Sequence, residues 1–224
     1  MSHKNSIVRK SNWLVTASYK LTLNEQRLVL AAIAKIPFES NEIKRCVVLT
    51  AKEMLDCFPD MGEQNVHKEM RDAIDNLWER AIKVADPNQV DEFRWITAKS
   101  RYLKGEGRVG FSFSPEVLPY LQQLKKQFTK YRLGDISSLK SVYSIRLFEM
   151  LIQFQNTGIA LVGLKEFKER LGISDKYTDY RILRRIVIEP AVNELNKKSH
   201  FNITFKSVRE GRSIKKLEFF FSEK

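Results

Sequence analysis

Three arginines stand close together in the last third of the chain, at Arg181, Arg184 and Arg185. A guanidinium can donate two hydrogen bonds to the edge of a guanine base, and one such pair discriminates against other bases by roughly 1–3 kcal/mol. Thr178, just before them, could contact a phosphate or a thymine methyl group, or could cap a helix instead. The alternative for the arginines is a solvated helix face with acidic partners. Because they begin a helical pattern that follows a turn, we favour recognition of bases in DNA.

Basic side chains also flank two copies of the tripeptide Glu-Gly-Arg, at residues 106–108 and 210–212. Glycine permits the positive φ that a tight hairpin turn requires, so each copy predicts the tip of a β-hairpin. Basic side chains at such tips could contact the DNA backbone or the minor groove, or could be ordinary turn polarity. Their duplication favours the first interpretation. The tip residues are Lys104, Arg108, Arg209 and Arg212.

A third cluster, Asn65, Lys68 and Arg71, occupies one face of a helical pattern in the first half of the chain. Acidic residues on the same helix dilute its positive charge. A phosphate-directed contact and a merely solvated face therefore both remain open for this cluster.

The arginines and the glycine turns belong to a unit that occurs twice. In the first copy a short helix at 51–57 precedes a helical pattern at 65–83, and in the second a helix at 164–171 precedes a pattern at 179–197. Each copy continues into a hairpin that ends on an aromatic strand. A helix, a turn, a helix and a hairpin form a winged helix, whose second helix suits the major groove. We predict an α+β fold with two tandem winged-helix domains.

The first domain is expected to span residues 1–130 and the second residues 131–224. An apolar helix is expected at 114–128, and an interdomain break at 133–135. We assign the main sequence-specific binding to the second domain, and backbone contacts and dimerisation to the first. Self-association is suggested by the apolar helix that follows a capping box at 22–25, since any surface that this helix exposed would attract a partner.

Positive charge is spread over both predicted domains. The chain has 39 Lys and Arg against 27 Asp and Glu, a net charge of +12. Cutting after Lys130 leaves 21 basic and 16 acidic residues before the cut, and 18 and 11 after it. Two positive domains favour a polyanionic partner, because each phosphate contact releases counterions. With two isolated cysteines and no apolar run near the roughly 20 residues of a membrane span, we predict a cytoplasmic protein that does not contact membranes.

Catalysis and metal binding are not supported by the remaining polar residues. The histidines lie far apart, at His3, His67 and His200, whereas a rolling-circle nicking enzyme needs two metal-binding histidines one residue apart. The acidic residues between 56 and 63 flank a proline and a glycine, as in a solvated loop. The glycines at 105 and 107 lack the lysine of a phosphate-binding loop. We predict no enzyme activity, no cofactor and no bound metal.

Five stretches of the chain match a known family in order and in spacing. They are residues 14–28, 128–133, 144–151, 183–196 and 205–221. With these stretches the chain resembles the iteron-binding replication initiator (Rep) proteins of bacterial plasmids along essentially its whole length.

The resemblance implies tandem winged-helix domains that bind directly repeated sites in double-stranded DNA at a plasmid origin. It also implies local melting of the origin, recruitment of the host initiator and the replicative helicase, and dimerisation through the first domain. A tandem winged-helix transcription regulator that binds an operator is the alternative, and it would neither melt DNA nor load a helicase.

Overall fold

A computed structural model describes residues 5–37, 45–85, 88–101, 107–122 and 127–224. Its α-helices are α1 (Asn12–Thr16), α2 (Leu23–Ile33), α3 (Ala51–Cys57), α4 (Val66–Leu77), α5 (Val142–Ile152), α6 (Leu164–Arg170), α7 (Tyr180–Leu183) and α8 (Glu189–Lys198). Its strands are β1 (Ile7–Ser11), β2 (Ser18–Tyr19), β3 (Cys46–Thr50), β4 (Ala81–Ala85), β5 (Val90–Arg94), β6 (Ile96–Arg101), β7 (Arg108–Phe113), β8 (Phe128–Arg132), β9 (Ile159–Gly163), β10 (Phe201–Glu210) and β11 (Ser213–Glu223). None of the described helices has the length and apolar character that crossing a bilayer needs.

The first winged helix consists of α2, α3 and α4 with the strands β3, β6 and β7. Helix α2 begins at the predicted capping box: the Thr22 hydroxyl accepts a hydrogen bond from the Glu25 amide (3.3 Å), and the Glu25 carboxylate accepts one from the Thr22 amide (3.0 Å). Strand β7 lies between β3 and β6 and is antiparallel to both. Strands β6 and β7 therefore form the predicted hairpin, or wing, after the second helix of the helix–turn–helix.

Helix α2 belongs to the core and does not present an apolar surface. Its residues from Leu28 to Ile33 are at most 4% exposed. The buried Arg27 guanidinium donates hydrogen bonds to the Asp60 carboxylate (2.9 Å) and to the Leu139 carbonyl (2.9 Å). The acidic residues of the loop predicted to be solvated, Asp56, Asp60 and Glu63, are exposed, and Asp60 in addition pairs with the buried Arg27. Helix α2 is not the surface that would mediate self-association.

Because α2 is core, Leu30→Asp is expected to lower the free energy of unfolding by at least about 3 kcal/mol, since it buries an unpaired charge. The matched control is Val90→Asp, because Val90 on β5 is 63% exposed and a charge there stays in water. Urea denaturation of both variants checks this prediction. Equal stability of the two variants would show that α2 lies on the surface.

Helix α4 is shorter than predicted. The pattern at 65–83 predicts one helix, but α4 ends at Leu77 and Ala81–Ala85 form strand β4. Within β4, Ile82 and Val84 are buried while the residues between and beside them are less so, which is the period of a strand. Strand β4 pairs with the distant β2 and with the neighbouring β5 in a small sheet, and these pairings override the local helical pattern.

The helix predicted at 114–128 is not formed by the residues described in that region. Leu118–Tyr120 make a 3₁₀ turn, and Phe128 already begins strand β8. Pro119 lies within the 3₁₀ turn, and the apolar side chains that suggested a helix fill the core instead: Val117, Leu118 and Leu121 are at most 8% exposed.

Strand β8, in the middle of the chain, lies beside strand β1 near its beginning. It pairs antiparallel with β1, from Ile7 opposite Arg132 to Ser11 opposite Phe128. Residue 130, after which the domain boundary is predicted, lies inside β8. The break predicted at 133–135 is part of a 3₁₀ turn, Leu133–Ile136, whose two end residues are buried.

The second winged helix repeats the order of the first. Strand β9 leads into α6, and a long helix follows from α7 through a π turn at Arg184–Ile188 to α8, as predicted for 179–197. Strands β10 and β11 form the closing hairpin, and β11 lies between β10 and β9. The prediction of an α+β fold with two tandem winged helices is confirmed.

Helix α5 lies between the two winged helices, and Arg146 on it connects them. Its Nη2 atom donates hydrogen bonds to the Ala17 carbonyl (2.8 Å) in the first unit and to the Arg170 carbonyl (2.7 Å) in the second. Its Nη1 atom donates to the Tyr19 hydroxyl, and its guanidinium carbon lies 3.9 Å from the centre of the Tyr19 ring. Arg146 is only 2% exposed. The two units are thus joined by buried contacts.

A second buried charge, Glu149, completes this network. The Lys10 Nζ atom lies 2.5 Å from Glu149 Oε1, and the two side chains are 1% and 0% exposed. The Tyr131 hydroxyl donates a hydrogen bond to the same oxygen (2.5 Å), and burial together with the Glu149 charge raises the pKa of Tyr131 well above its usual range. The network joins β1, β8 and α5. Arg146 extends this network to the Arg170 carbonyl of the second unit, and we call Lys10, Tyr131, Arg146 and Glu149 the interdomain network.

Candidate nucleic-acid interface

The long helix of the second unit exposes the three arginines singled out in the sequence. Leu183, Val187 and Ile188 face the core, with at most 1% exposure. Arg181, Arg184 and Arg185 are exposed on the other side. We call α7, the π turn and α8 together the recognition helix.

A π turn widens the recognition helix at the arginines. The Glu189 amide donates its hydrogen bond to the Arg184 carbonyl, five residues earlier. Pro190 explains this: it has no N–H to donate, and in a regular helix its ring would clash with the carbonyl four residues before it. A bend at Pro190 is the sequence-based expectation, and the structure accommodates the proline by one wide turn. Such turns are frequent at functional sites.

Two of the arginines have acidic partners. Arg181 Nη2 lies 2.8 Å from Asp179 Oδ2. The Arg181 side chain and the Arg181 amide both donate hydrogen bonds to the Asp179 carboxylate, and these hold the pKa of Asp179 below its usual range. Arg184 Nε lies 2.7 Å from Glu189 Oε1. Arg185, in contrast, makes no ion pair with any described residue. Exposed pairs of this kind contribute little to stability, so the guanidiniums can exchange their partners for phosphates or bases at small cost.

A basic cleft of about 550 Å³ separates the recognition helix from the β10–β11 wing. The six residues that the sequence singled out in this domain all line it: Thr178, Arg181, Arg184, Arg185, Arg209 and Arg212. The wing turns at Gly211, whose φ of +62° suits the two-residue turn between Glu210 and Ser213. Helix and wing thus present five guanidiniums to one concave surface.

Sequence reasoning missed a second set of cations beside this cleft. Lys168 on α6 and Lys215 on β11 line an adjoining cavity of about 340 Å³, together with Lys165, Tyr177 and Thr178. Tyr177 has a φ of +53°, in the left-handed region that favours glycine, at the turn into the recognition helix. The helical spacing of Lys165 and Lys168 is the signal that could have indicated these residues.

In the first unit, the predicted contacts lie at the start of α4 and beside its wing. Asn65 precedes α4 and makes no capping hydrogen bond, and Lys68 and Arg71 are exposed. Arg108 is exposed where β7 begins. Gly107 adopts a φ of +51°, and a side chain there would collide with the His67 ring, so wing and helix meet closely. Lys104 lies outside the described residues.

One acidic residue of α4 forms an ion pair with a lysine of the wing. Asp75 Oδ1 lies 2.9 Å from Lys99 Nζ of β6, and the Lys99 ammonium is 5.5 Å from the centre of the Trp78 ring.

Among the described residues, no group of three or more His, Cys, Asp or Glu side chains is placed to hold a metal ion.

Two family models match the chain on either side of the loop after α5. One, described as Initiator Replication protein, WH1, matches residues 7–152. The other, described as Initiator Rep protein, WH2, matches residues 163–221. The chain belongs to this family of replication initiators. The first match includes β8 and α5, so the family divides its two winged helices after α5.

Individual relatives agree with the family models. A replication initiation protein of Escherichia coli is 28% identical over 208 residues, which cover 88% of this initiator-family chain and 64% of the relative. The PI protein of Escherichia coli is 30% identical over 145 residues, or 57% of this chain and 46% of that protein. The chain spans less than two thirds of the length of either relative.

A solved structure confirms that the fold is shared over the whole chain. The crystal structure of Pi initiator protein in complex with iteron DNA superimposes with a TM-score of 0.81 at 22% identity. The match covers 99% of this initiator-family chain and 98% of the other. The resemblance to Rep proteins seen in the sequence is therefore confirmed at the level of family and fold.

Proposed function

We propose that this chain is a plasmid replication initiator that binds directly repeated duplex sites, or iterons, at an origin. The observation that carries the proposal is the cleft between recognition helix and wing, to which five arginines contribute. A helix in the major groove with a wing on the adjacent backbone is how winged helices bind DNA. The shared fold with an initiator solved on iteron DNA supports the same conclusion.

The two domains contribute unequally in this proposal. The second domain supplies base recognition through Thr178, Arg181, Arg184 and Arg185, and backbone contacts through Arg209 and Arg212. The first domain supplies mainly phosphate contacts, because its helix α4 combines Lys68 and Arg71 with acidic neighbours. Further backbone contacts in that domain come from Asn65, Lys104 and Arg108.

Origin melting and recruitment of the host initiator and the replicative helicase extend the proposal. A chain that holds one duplex at two places, through domains joined by buried contacts, can impose a bend or untwisting on the DNA between them. Self-association through the first domain completes the proposed activities, through a surface other than the buried helix α2.

A plasmid-maintenance assay tests the proposed function. DNA from upstream of the gene is joined to a selectable marker, and the chain is supplied from a second plasmid. We expect the marker plasmid to replicate only when the wild-type chain is present, and the Arg185→Ala variant to fail. Specific binding to the same DNA without replication would instead identify a transcription regulator.

The different DNA contacts proposed for Arg185 and Arg212 predict different effects on binding when each is replaced by alanine. Arg185→Ala should weaken specific binding by roughly 1–3 kcal/mol and leave binding to random duplex nearly unchanged, because it removes a base contact. Arg212→Ala should weaken both and reduce the slope of log affinity against log salt by about 1, because it removes a phosphate contact.

Gel shifts at several salt concentrations measure both quantities. Lys197→Ala is the matched control, since Lys197 is an exposed cation at the far end of the same helix, outside the cleft. An equal loss on specific and random duplex for Arg185→Ala would refute its assignment to base recognition.

A further inference from the structure

Two large apolar side chains are exposed on the recognition helix beside the arginines. Ile182 is 40% exposed and Ile186 is 45% exposed. They lie four residues apart, one turn of the helix, and each directly follows an arginine. The core-facing positions of the same helix are already filled by Leu183, Val187 and Ile188. Packing of the domain therefore does not account for the two isoleucines.

Helical spacing places the two isoleucines on a particular flank of the helix. Arg184 and Arg185 line the cleft with the wing, but neither isoleucine does. Ile182 and Ile186 consequently lie on the flank of Arg185 that is turned away from the wing. A recognition helix that points Arg185 at base edges would hold both isoleucines against the bases or the wall of the same groove.

The charges around the two isoleucines indicate which kind of apolar group they contact. Five arginines on the same concave surface favour a polyanion over an apolar protein surface. An aliphatic side chain cannot donate a hydrogen bond to a phosphate, and the apolar group that the major groove displays is the thymine 5-methyl. We propose that Ile182 and Ile186 contact thymine methyl groups and thereby select A·T pairs beside the bases that Arg185 contacts. This inference rests on the proposed DNA binding.

The experiment removes the methyl groups from the DNA and the side chains from the protein. A preferred site is first selected from a randomised duplex pool with the full-length wild-type chain. Each thymine of that site is then replaced singly by deoxyuridine, which lacks the methyl group and keeps the same hydrogen-bonding edge. For the wild-type chain, one or two of these replacements should weaken binding roughly threefold to fivefold, the effect of exposing one buried methyl.

The protein variants make the test specific. Ile182→Ala and Ile186→Ala should each weaken binding to the thymine site by a similar factor and become insensitive to deoxyuridine at one position. Alanine favours helix more than isoleucine does, so both variants keep the recognition helix. The matched control is Ile159→Ala, because Ile159 is 47% exposed on β9 of the same domain and should leave binding and its deoxyuridine sensitivity unchanged.

The outcomes separate this inference from the proposal on which it rests. Specific binding with equal affinity for every thymine and deoxyuridine site would overturn the methyl contact and leave the initiator proposal standing. A deoxyuridine effect that persists unchanged in both alanine variants would overturn it as well. Failure of the wild-type chain to select any site would refute both.

Discussion

Inserting about half a helical turn of DNA, roughly 5 bp, into the middle of one binding site is expected to reduce affinity by a factor of about 10² to 10⁴. If both winged helices bind one duplex, their half-sites lie on the same face about one turn, or 10–10.5 bp, apart. The insertion turns one half-site to the opposite face. The domains cannot follow, because Arg146 joins the Ala17 carbonyl of one to the Arg170 carbonyl of the other.

Gel shifts with spacer-altered sites measure this effect, and a full-turn insertion is the control. It returns the half-site to the same face of the duplex and changes only the distance between the half-sites, so it should lower affinity less than the half-turn insertion does. The residual affinity should be that of the second domain, which has three arginines on its recognition helix. Unchanged affinity after the half-turn insertion would mean that a single domain contacts the DNA.

The interdomain network predicts the largest effect on stability. Glu149→Gln should lower the free energy of unfolding by about 3–5 kcal/mol, because the buried Lys10 and Arg146 lose their counter-charge. For a chain of this size that corresponds to a drop in Tm of roughly 6–20 °C. The double variant Lys10→Met with Glu149→Leu should recover only part of the loss, since it removes the Lys10 and Glu149 charges together but leaves Arg146 charged and the Tyr131 hydroxyl without its acceptor.

Thermal and urea unfolding test the network directly. The matched control is Glu92→Gln, because the Lys83–Glu92 pair is 56% and 52% exposed and its loss should change stability by less than about 0.5 kcal/mol. A Glu149→Gln variant as stable as the control would show that Lys10 and Arg146 are solvated in solution.

The local signals in the sequence predicted the parts of the fold that are stabilised locally. The capping box at Thr22, the two helix–turn–helix units and the glycine turn at Gly211 are each specified by residues close in sequence. The arginine cluster likewise lies within one helix and one hairpin, so its members could be chosen before the cleft was known.

What the sequence did not reveal depends on contacts between distant segments. Helix α4 ends early because β4 pairs with the distant strand β2 as well as with the neighbouring β5, and β8 is a strand because β1 lies beside it. The interdomain network was also missed, since Arg146 and Glu149 occur within an otherwise apolar helix with nothing nearby in sequence to indicate their partners. Pro190 predicted a distortion of the recognition helix. That the distortion is a π turn is seen only from the hydrogen bond between the Glu189 amide and the Arg184 carbonyl.

Hydroxyl-radical footprinting of the full-length chain on the DNA upstream of its own gene tests the central claim most directly. If both winged helices bind each repeat, the footprint should show several equal protections in direct orientation, each about two helical turns long and on one face of the duplex. Arg185→Ala should abolish these protections at concentrations at which Lys197→Ala retains them. A single protected inverted repeat, or protections only one turn long, would contradict the account.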